Sequence, residues 1–374
     1  MFQNKIYQNF FIEILKTFFV VLFGLSIIAL TVRAVSFLDL IVDSGYPVST
    51  YFKYSFLNLF GILPKFIPLS FLIATMIFML KHLQDNEFVI LWTSGVKKIK
   101  IVNLVLSASI LILILYLILS IFLTPMALNK SRQLLSSDQI NSFLPTIKRQ
   151  QFSDSFKGFT FLVEKKINNE IKNIFLNDKN NNLKNLSANI SKDINTTIIA
   201  ENGVVDQKKL ILFNGMIISS GKNNLDNKVV KFDQLNVDLN ELDTATIKQP
   251  KLQETSTIEL FACFVEIPFN ISLCREEAKK EMISTLNRRI IVPFYIPIIS
   301  LLSSLLLVKS KKFYLNKFSI FSYSFILLIF IELAVRYTGI SNLIKLSFMT
   351  LPIILIFIIY LYLIYKFSKE AKYE

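Results

Sequence analysis

Long runs of apolar residues at both ends of the chain flank a middle stretch in which apolar and polar positions are interleaved. A helix needs roughly 20 mostly apolar residues to cross about 30 Å of hydrocarbon. Six stretches meet that requirement, at about 10–32, 54–80, 101–125, 290–308, 318–335 and 344–366. The first carries no charge from Thr17 to Val32 and is bracketed by Lys16 and Arg33. The second holds Pro64, Lys65 and Pro68, and the fourth holds Pro293 and Pro297. Proline is tolerated in such helices where neighbours satisfy the carbonyls it frees. The first stretch is too long for the apolar part of a signal peptide and shows no small-residue cleavage pattern.

Between 126 and 288 the pattern changes. Short runs rich in β-branched and aromatic residues fall near 146–152, 158–165, 170–177, 195–201, 208–219 and 228–238. The pairs Lys157-Gly158, Asn202-Gly203 and Asn214-Gly215 and the polar stretches 177–189 and 221–224 read as turns between them. Such spacing predicts an all-β, jelly-roll-like domain. Residues 258–264 read as a last strand, and 274–286 as a helix leading into the fourth span. The predicted architecture is an α-helical integral membrane protein of six transmembrane helices, three on either side of an inserted β domain. Residues 1–125 carry the first three spans and a loop helix at about 85–95, residues 126–266 the β domain, and residues 267–374 a linker helix and the last three spans.

Charge then orients the spans. The chain is 53% hydrophobic and 18% charged, with a net charge of +14, where a soluble domain carries about 25% charge. Residues 126–288 hold 22 basic and 19 acidic side chains, so +11 of the excess lies with the apolar ends. Thirteen lysines border one side of the spans, among them Lys16, Lys81, Lys97, Lys98, Lys311 and Lys366. Six basic residues border the other: Arg33, Lys53, Arg288, Arg289, Arg336 and Lys345. Lysine and arginine concentrate in cytoplasmic loops. Both termini are therefore expected in the cytoplasm and the β domain on the exported side. A basic excess that follows membrane edges, with no single stripe, argues against nucleic acid as a partner.

Few groups could do chemistry. His82 is the one histidine, which leaves no histidine-based triad or zinc-ligand cluster, and alone it reads as a packed or solvated residue. No phosphate-binding glycine loop occurs. Cys263 and Cys274 lie on the exported side, where a disulfide is permitted. The chain is expected to be no enzyme and to hold no cofactor or metal, so any transport against a gradient would draw its energy from a separate subunit.

The most informative segment is residues 85–96, Asp-Asn-Glu-Phe-Val-Ile-Leu-Trp-Thr-Ser-Gly-Val. Asp85 suits an N-cap, Glu87 favours the positive end of a helix, and Gly95 suits the left-handed residue that ends one. Phe88, Leu91 and Trp92 fall on one face. The segment reads either as a helix resting on lipid or as a coupling helix that docks on a cytoplasmic ATPase.

This segment resembles the cytoplasmic motif of the lipopolysaccharide export permeases, the LptF/LptG family. The likeness extends to Val32-Arg33, to 42–47, to the proline-containing stretch 62–70, to Gln151-Phe152, 159–164 and 174–176 at the opening of the exported domain, and to 286–290. That opening is more similar to LptF than to LptG. The resemblance implies a permease subunit of an ABC transporter that extracts lipopolysaccharide from the bacterial inner membrane. Its implied partners are an LptG-type paralogous permease, an LptB-type ATPase dimer and an LptC-type periplasmic protein. It also implies that Glu87, Phe88, Leu91, Trp92 and Gly95 form the ATPase-coupling helix. Arg33 and Arg336 match basic positions of the family and, with Lys53 and Lys65, are the expected ligands of lipopolysaccharide phosphates, where arginine offers a bidentate fork. The competing readings are that these cations only anchor helix ends, that Glu332 neutralises Arg336 one turn away, and that Arg288 and Arg289 hold lipid head groups. The LptG-type subunit and a membrane-anchored scaffold are the alternative functions.

The charge count makes the topology testable. A cysteine probe at Asn180 should react with an impermeant reagent outside intact spheroplasts, and a probe at Lys311 should stay protected. The opposite pattern would overturn the assigned orientation.

Overall fold

The computed structural model describes residues 5–42, 46–141, 152–156, 159–167, 170–178, 194–206, 209–221, 228–238, 251–264, 276–308 and 313–370. Helices come first: α1 (Lys5–Phe37), the single turn α2 (Asp39–Val42), α3 (Val48–Gln84), α4 (Glu87–Thr93), α5 (Lys98–Ile118) and, after a π-helical turn at Leu119–Leu123, α6 (Thr124–Asn141). Strands β1 (Ser153–Phe156), β2 (Phe159–Ile167), β3 (Glu170–Asp178), β4 (Ile194–Asp206), β5 (Lys209–Gly221) and β6 (Lys228–Asp238) follow. The chain then returns to helices α7 (Thr257–Phe264), α8 (Glu276–Ile290), α9 (Ile296–Ser304), α10 (Phe313–Tyr337) and α11 (Asn342–Glu370). It divides into two compact units, one of residues 1–32, 57–129 and 250–374, the other of residues 33–56 and 130–249.

Among the described residues five helical segments are long and apolar enough to cross a membrane: Lys5–Ile41, Val48–Gln84, Lys98–Leu135, Lys317–Tyr337 and Leu343–Glu370. On α1 the buried residues Tyr7, Phe10, Ile14, Phe18, Leu22 and Ser26 recur every three or four positions and make one stripe. Val20, Ile27, Ile28 and Val32 point outward and are exposed. An apolar outward face is what a helix shows to lipid, since its backbone groups are already paired within the helix.

The fourth expected span, at 290–308, departs from a single helix. It is a bent pair, Lys279–Ile290 and Val292–Leu307, meeting at 45°. Pro293 and Pro297 lie just after the bend, and a proline ring takes away a backbone donor and crowds the preceding turn. The nine-residue α9 is nearly all buried. At 1.5 Å rise per residue it is too short to span alone. Its serines are satisfied locally: Ser300 donates to the carbonyl of Pro297 at 2.6 Å, and Ser303 and Ser304 to that of Ser300 at 2.9 and 2.7 Å.

Pro64, Pro125 and Pro352 each free the carbonyl four residues earlier. At these three a hydroxyl from another element takes that carbonyl. Thr124 donates to Phe60, freed by Pro64, at 2.8 Å. Thr257 donates to Ile121, freed by Pro125, at 3.0 Å. Tyr295 donates to Phe348, freed by Pro352, at 3.0 Å. These bonds let α3 and α11 continue through proline and tie them to neighbours.

In the second unit the six strands form one antiparallel sheet in sequence order, β1-β2-β3-β4-β5-β6. Among the described residues the all-β domain is thus a meander of hairpins in a single sheet. Phe161, Val163, Ile171, Ile174, Leu176, Ile198, Ala200, Leu210, Leu212 and Val237 form its core. The pattern alternates along the strands, as one buried face requires.

The strand expected at 146–152 lies, except for Phe152, outside the described residues, and the first described strand is 153–156. Three other sequence expectations need correction. Residues expected as a strand at 258–264 are helical, because Ser256 and Glu259 make a reciprocal capping box: the Glu259 amide donates to Ser256 Oγ at 3.2 Å and the Ser256 amide to the Glu259 carboxylate at 3.3 Å. Asn202-Gly203 and Asn214-Gly215 are not turns but lie within β4 and β5. Gly215 is needed there for close approach, since a Cβ would meet the carbonyl of Ile199 at 2.5 Å and also the Phe232 ring. The neighbouring Asn214 takes φ 52° and interrupts the register. Finally, helix continues past the expected end of the third span at 125, through α6.

The hydroxyl–proline pairing can be tested by a double-mutant cycle. Tyr295→Phe should destabilise the folded chain by about 1–3 kcal/mol, the cost of an unpaired buried carbonyl. In a Pro352→Ala background the helix supplies its own donor, so the same change should cost much less. Equal costs in both backgrounds would show that the tyrosine does not serve that carbonyl.

Candidate functional site

The loop between α3 and α5 is built more tightly than its length suggests. Asn86 sits at the N-cap of α4 with φ 57° and offers no side-chain cap bond, so the capping expected of Asp85 is not made. At the other end Gly95 has φ 88°. The Gly95 amide donates to Trp92 and the Val96 amide to Leu91, both at 3.0 Å. Those two bonds and the left-handed glycine are a Schellman termination, as the sequence predicts for Gly95.

The expected apolar face is present, but it turns inward. Phe88 is fully buried. Its ring meets Phe10 of α1 at 6.1 Å, Phe78 of α3 at 6.0 Å and Trp92 at 6.2 Å. Leu91 and Trp92 are partly buried against the same core. Lys98 Nζ lies 4.7 Å from the centre of the Trp92 ring and pairs with Glu370 of α11 at 2.6 Å. Val89 and Ile90 are the apolar residues left outside, 43% and 65% exposed, beside exposed Asp85, Asn86 and Thr93. The pattern that placed Phe88, Leu91 and Trp92 on one face was right. Which face stays free was not readable from it, because burial depends on α1 and α11, far away in sequence.

Glu87 also faces inward in part. Its carboxylate lies 2.5 Å from Nδ1 of His82, whose Nε2 lies 3.1 Å from Glu13 of α1. Lys81 holds the other oxygen of Glu13 at 2.6 Å. Nothing in the sequence links Glu13 to residues nearly seventy positions later, so this cluster escaped the reading by pattern.

The basic residues separate by environment. Arg289 is buried and is consumed by the backbone carbonyls of Leu252, Gln253 and Thr255 and by Thr257 Oγ1, at 2.8–3.2 Å. Arg288 pairs with Glu332 at 2.5 Å. The ion pair expected within α10 between Glu332 and Arg336 is therefore replaced by one between helices. Arg336 is exposed and makes no ion pair among the described residues. Close after it Gly339 packs on the backbone of Lys280, where a Cβ would strike the carbonyl. Lys65 is exposed between Pro64 and Pro68.

In the second unit Arg33 and Lys53 are exposed at the same end of the α1–α3 pair. There Tyr51 donates to the carbonyl of Ala34 at 3.0 Å, and the rings of Phe37 and Tyr54 meet at 4.9 Å. Cys263 is in a disulfide; Cys274, the other cysteine, lies outside the described residues.

The family described as lipopolysaccharide export system permease LptF/LptG matches residues 10–366, nearly the whole chain. Among curated proteins none matches it.

Proposed function

Since the chain belongs to the LptF/LptG family of lipopolysaccharide export permeases, we propose that it is the LptF-type subunit of an ABC transporter in the bacterial inner membrane. It extracts lipopolysaccharide and passes it to a periplasmic β-jelly-roll bridge toward the outer membrane. An LptB-type ATPase dimer, an LptG-type permease and an LptC-type periplasmic protein are its partners. Both termini and α4 face the cytoplasm and the sheet faces the periplasm, a placement that rests on the lysine count. The choice of LptF over LptG rests on the opening of the exported domain.

One observation carries the mechanism: α4 is anchored by its inner face to α1 and α3, and through Lys98 of α5 to α11, while Val89 and Ile90 remain outside. A helix so built can take a push from an ATPase on its outer face and deliver it to the spans through Phe88 and Trp92. The permease itself works by differential binding, accepting the lipid in one state and releasing it in another. Arg33, Arg336, Lys53 and Lys65 are the proposed phosphate ligands. Arg288 and Arg289 are left out, because each already has its acceptors.

Purification with native partners, followed by lipopolysaccharide-stimulated ATP hydrolysis, tests the function. An unpaired charge buried in an apolar contact is costly. Ile90→Asp should therefore weaken ATPase association roughly tenfold or more while the chain still inserts, with Ile258→Asp on exposed α7 as the control. Full co-purification with Ile90→Asp would remove α4 as the docking element.

The lipid assignment has its own test. A charge-assisted hydrogen bond contributes about 1.5–3 kcal/mol, so Arg33→Ala or Arg336→Ala should weaken lipopolysaccharide binding about tenfold or more. Arg33→Lys should fall in between, since the charge stays and the fork is lost. Photo-crosslinkers at both positions should capture the lipid and one at Ser319 should not. Equal capture at Ser319, or unchanged transport by the Arg33→Glu/Arg336→Glu variant, would reduce both arginines to helix anchors.

A further inference from the structure

We propose that His82 is a positioning residue, a clasp that fixes α4 to α1 and α3 so that force on the helix reaches the spans instead of tilting α4 alone. The inference rests on the coupling role proposed for α4. The imidazole is 2% exposed. Rings from all three helices enclose its faces: Phe10 at 4.7 Å, Phe78 at 4.5 Å and Phe88 at 5.4 Å between centroids. With its faces covered, only its two nitrogen edges are left for polar contact, and each meets a carboxylate. Nδ1 faces Glu87 of α4 and Nε2 faces Glu13 of α1.

The donor count defines the chemistry. An ionised carboxylate only accepts, so each ring nitrogen must donate to its partner. Neutral imidazole has a single N–H, whereas imidazolium has two. The bridge is complete only as the cation, with Glu13 and Glu87 as counter-charges. Lys81 on the second oxygen of Glu13 balances the remaining charge and fixes the orientation of that carboxylate. Asp85 and Lys81 are the other charged residues of this corner. Charge-assisted bonds of this kind are roughly twice as strong as neutral ones. The outer ends of the bridge stay within reach of water, since the Glu13 and Glu87 side chains are 31% and 45% exposed. The clasp is therefore buried at its centre and open at both edges.

A packed histidine with no role in coupling would predict that substitution lowers the amount of folded chain and nothing else. A clasp predicts that hydrolysis and transport come apart. The test uses the full complex in vesicles of phospholipid and lipopolysaccharide, with the His82→Gln, Glu13→Gln and doubly substituted chains. Gln at 82 keeps hydrogen bonding but cannot bridge two carboxylates. His82→Gln should retain ATPase association and hydrolysis within about twofold while lipid released per ATP falls about tenfold. Glu13→Gln, at a partly exposed side chain, should act the same way and keeps the test open if His82→Gln fails to insert. The double variant should lose no more than the worse single one, because the residues form one network. Amide exchange across 87–93 should quicken about tenfold in each variant. Unchanged exchange, release per ATP equal to wild type, or losses that multiply in the double variant would each overturn the clasp. If the wild-type complex hydrolyses ATP without moving lipid, the functional reading fails, and the exchange measurement still decides the clasp.

Discussion

In hydrocarbon a backbone carbonyl without a donor costs far more than it does in water, and that cost organises the helical part of this protein. It confines the chain to helices there and makes proline the place where helices must depend on one another. Thr124, Thr257 and Tyr295 supply the hydroxyls that Pro64, Pro125 and Pro352 make necessary. Each such bond joins two elements, so at these three prolines the weakened helix is tied to a neighbour. Arg289 of α8 extends the same logic. It spends its donors on three carbonyls and on Thr257, which in turn serves Ile121.

Rigidity of that kind gives the short helix α4 its leverage. Seven residues are too few to be stable in water alone. The helix persists because Phe88 fills a ring cluster between α1 and α3 and because Trp92 lies under Lys98, itself paired with Glu370 near the end of α11. A helix held along one face by α1 and α3, and by Lys98 of α5, moves with them. The free face then needs only to be complementary to whatever drives it, and Val89 and Ile90 supply apolar surface there.

Much of this was legible in the sequence for one reason: lipid imposes long uniform runs, and runs survive reading without a partner. Five spans, the insertion of the β domain and the helix-ending Gly95 follow from local pattern. What failed was local pattern with two meanings. Residues 258–264 carry β-branched and aromatic side chains that suit a strand, yet Ser256 and Glu259 three residues apart begin a helix, and the cap decides. Asn214-Gly215 has turn chemistry, but the Phe232 ring and the Ile199 carbonyl need a residue without Cβ inside the sheet. The fourth stretch carries Pro293 and Pro297, but tolerated prolines and breaking prolines look alike in sequence, and the bend at 290–292 was not read from them. The inward turn of Phe88 and the meeting of Glu13, His82 and Glu87 depend on tertiary neighbours that no window of sequence contains.

The same tertiary neighbours sort the arginines, and that sorting narrows what can hold an anion. A guanidinium has five donors in a fixed fork. Arg289 directs its fork at backbone, and moving it to a phosphate would leave three carbonyls without that donor. Arg288 is neutralised by Glu332, so a lipid phosphate would have to displace a carboxylate of like charge. Glu332, in turn, is drawn across to α8 and makes no ion pair with Arg336, one turn further along α10. The pairing weighed from sequence for Arg336 is made by a different arginine. Arg33 reaches the same condition more simply, exposed at the end of an apolar stripe with no ion pair among the described residues. Of these four arginines, Arg33 and Arg336 are the two that make no ion pair among the described residues.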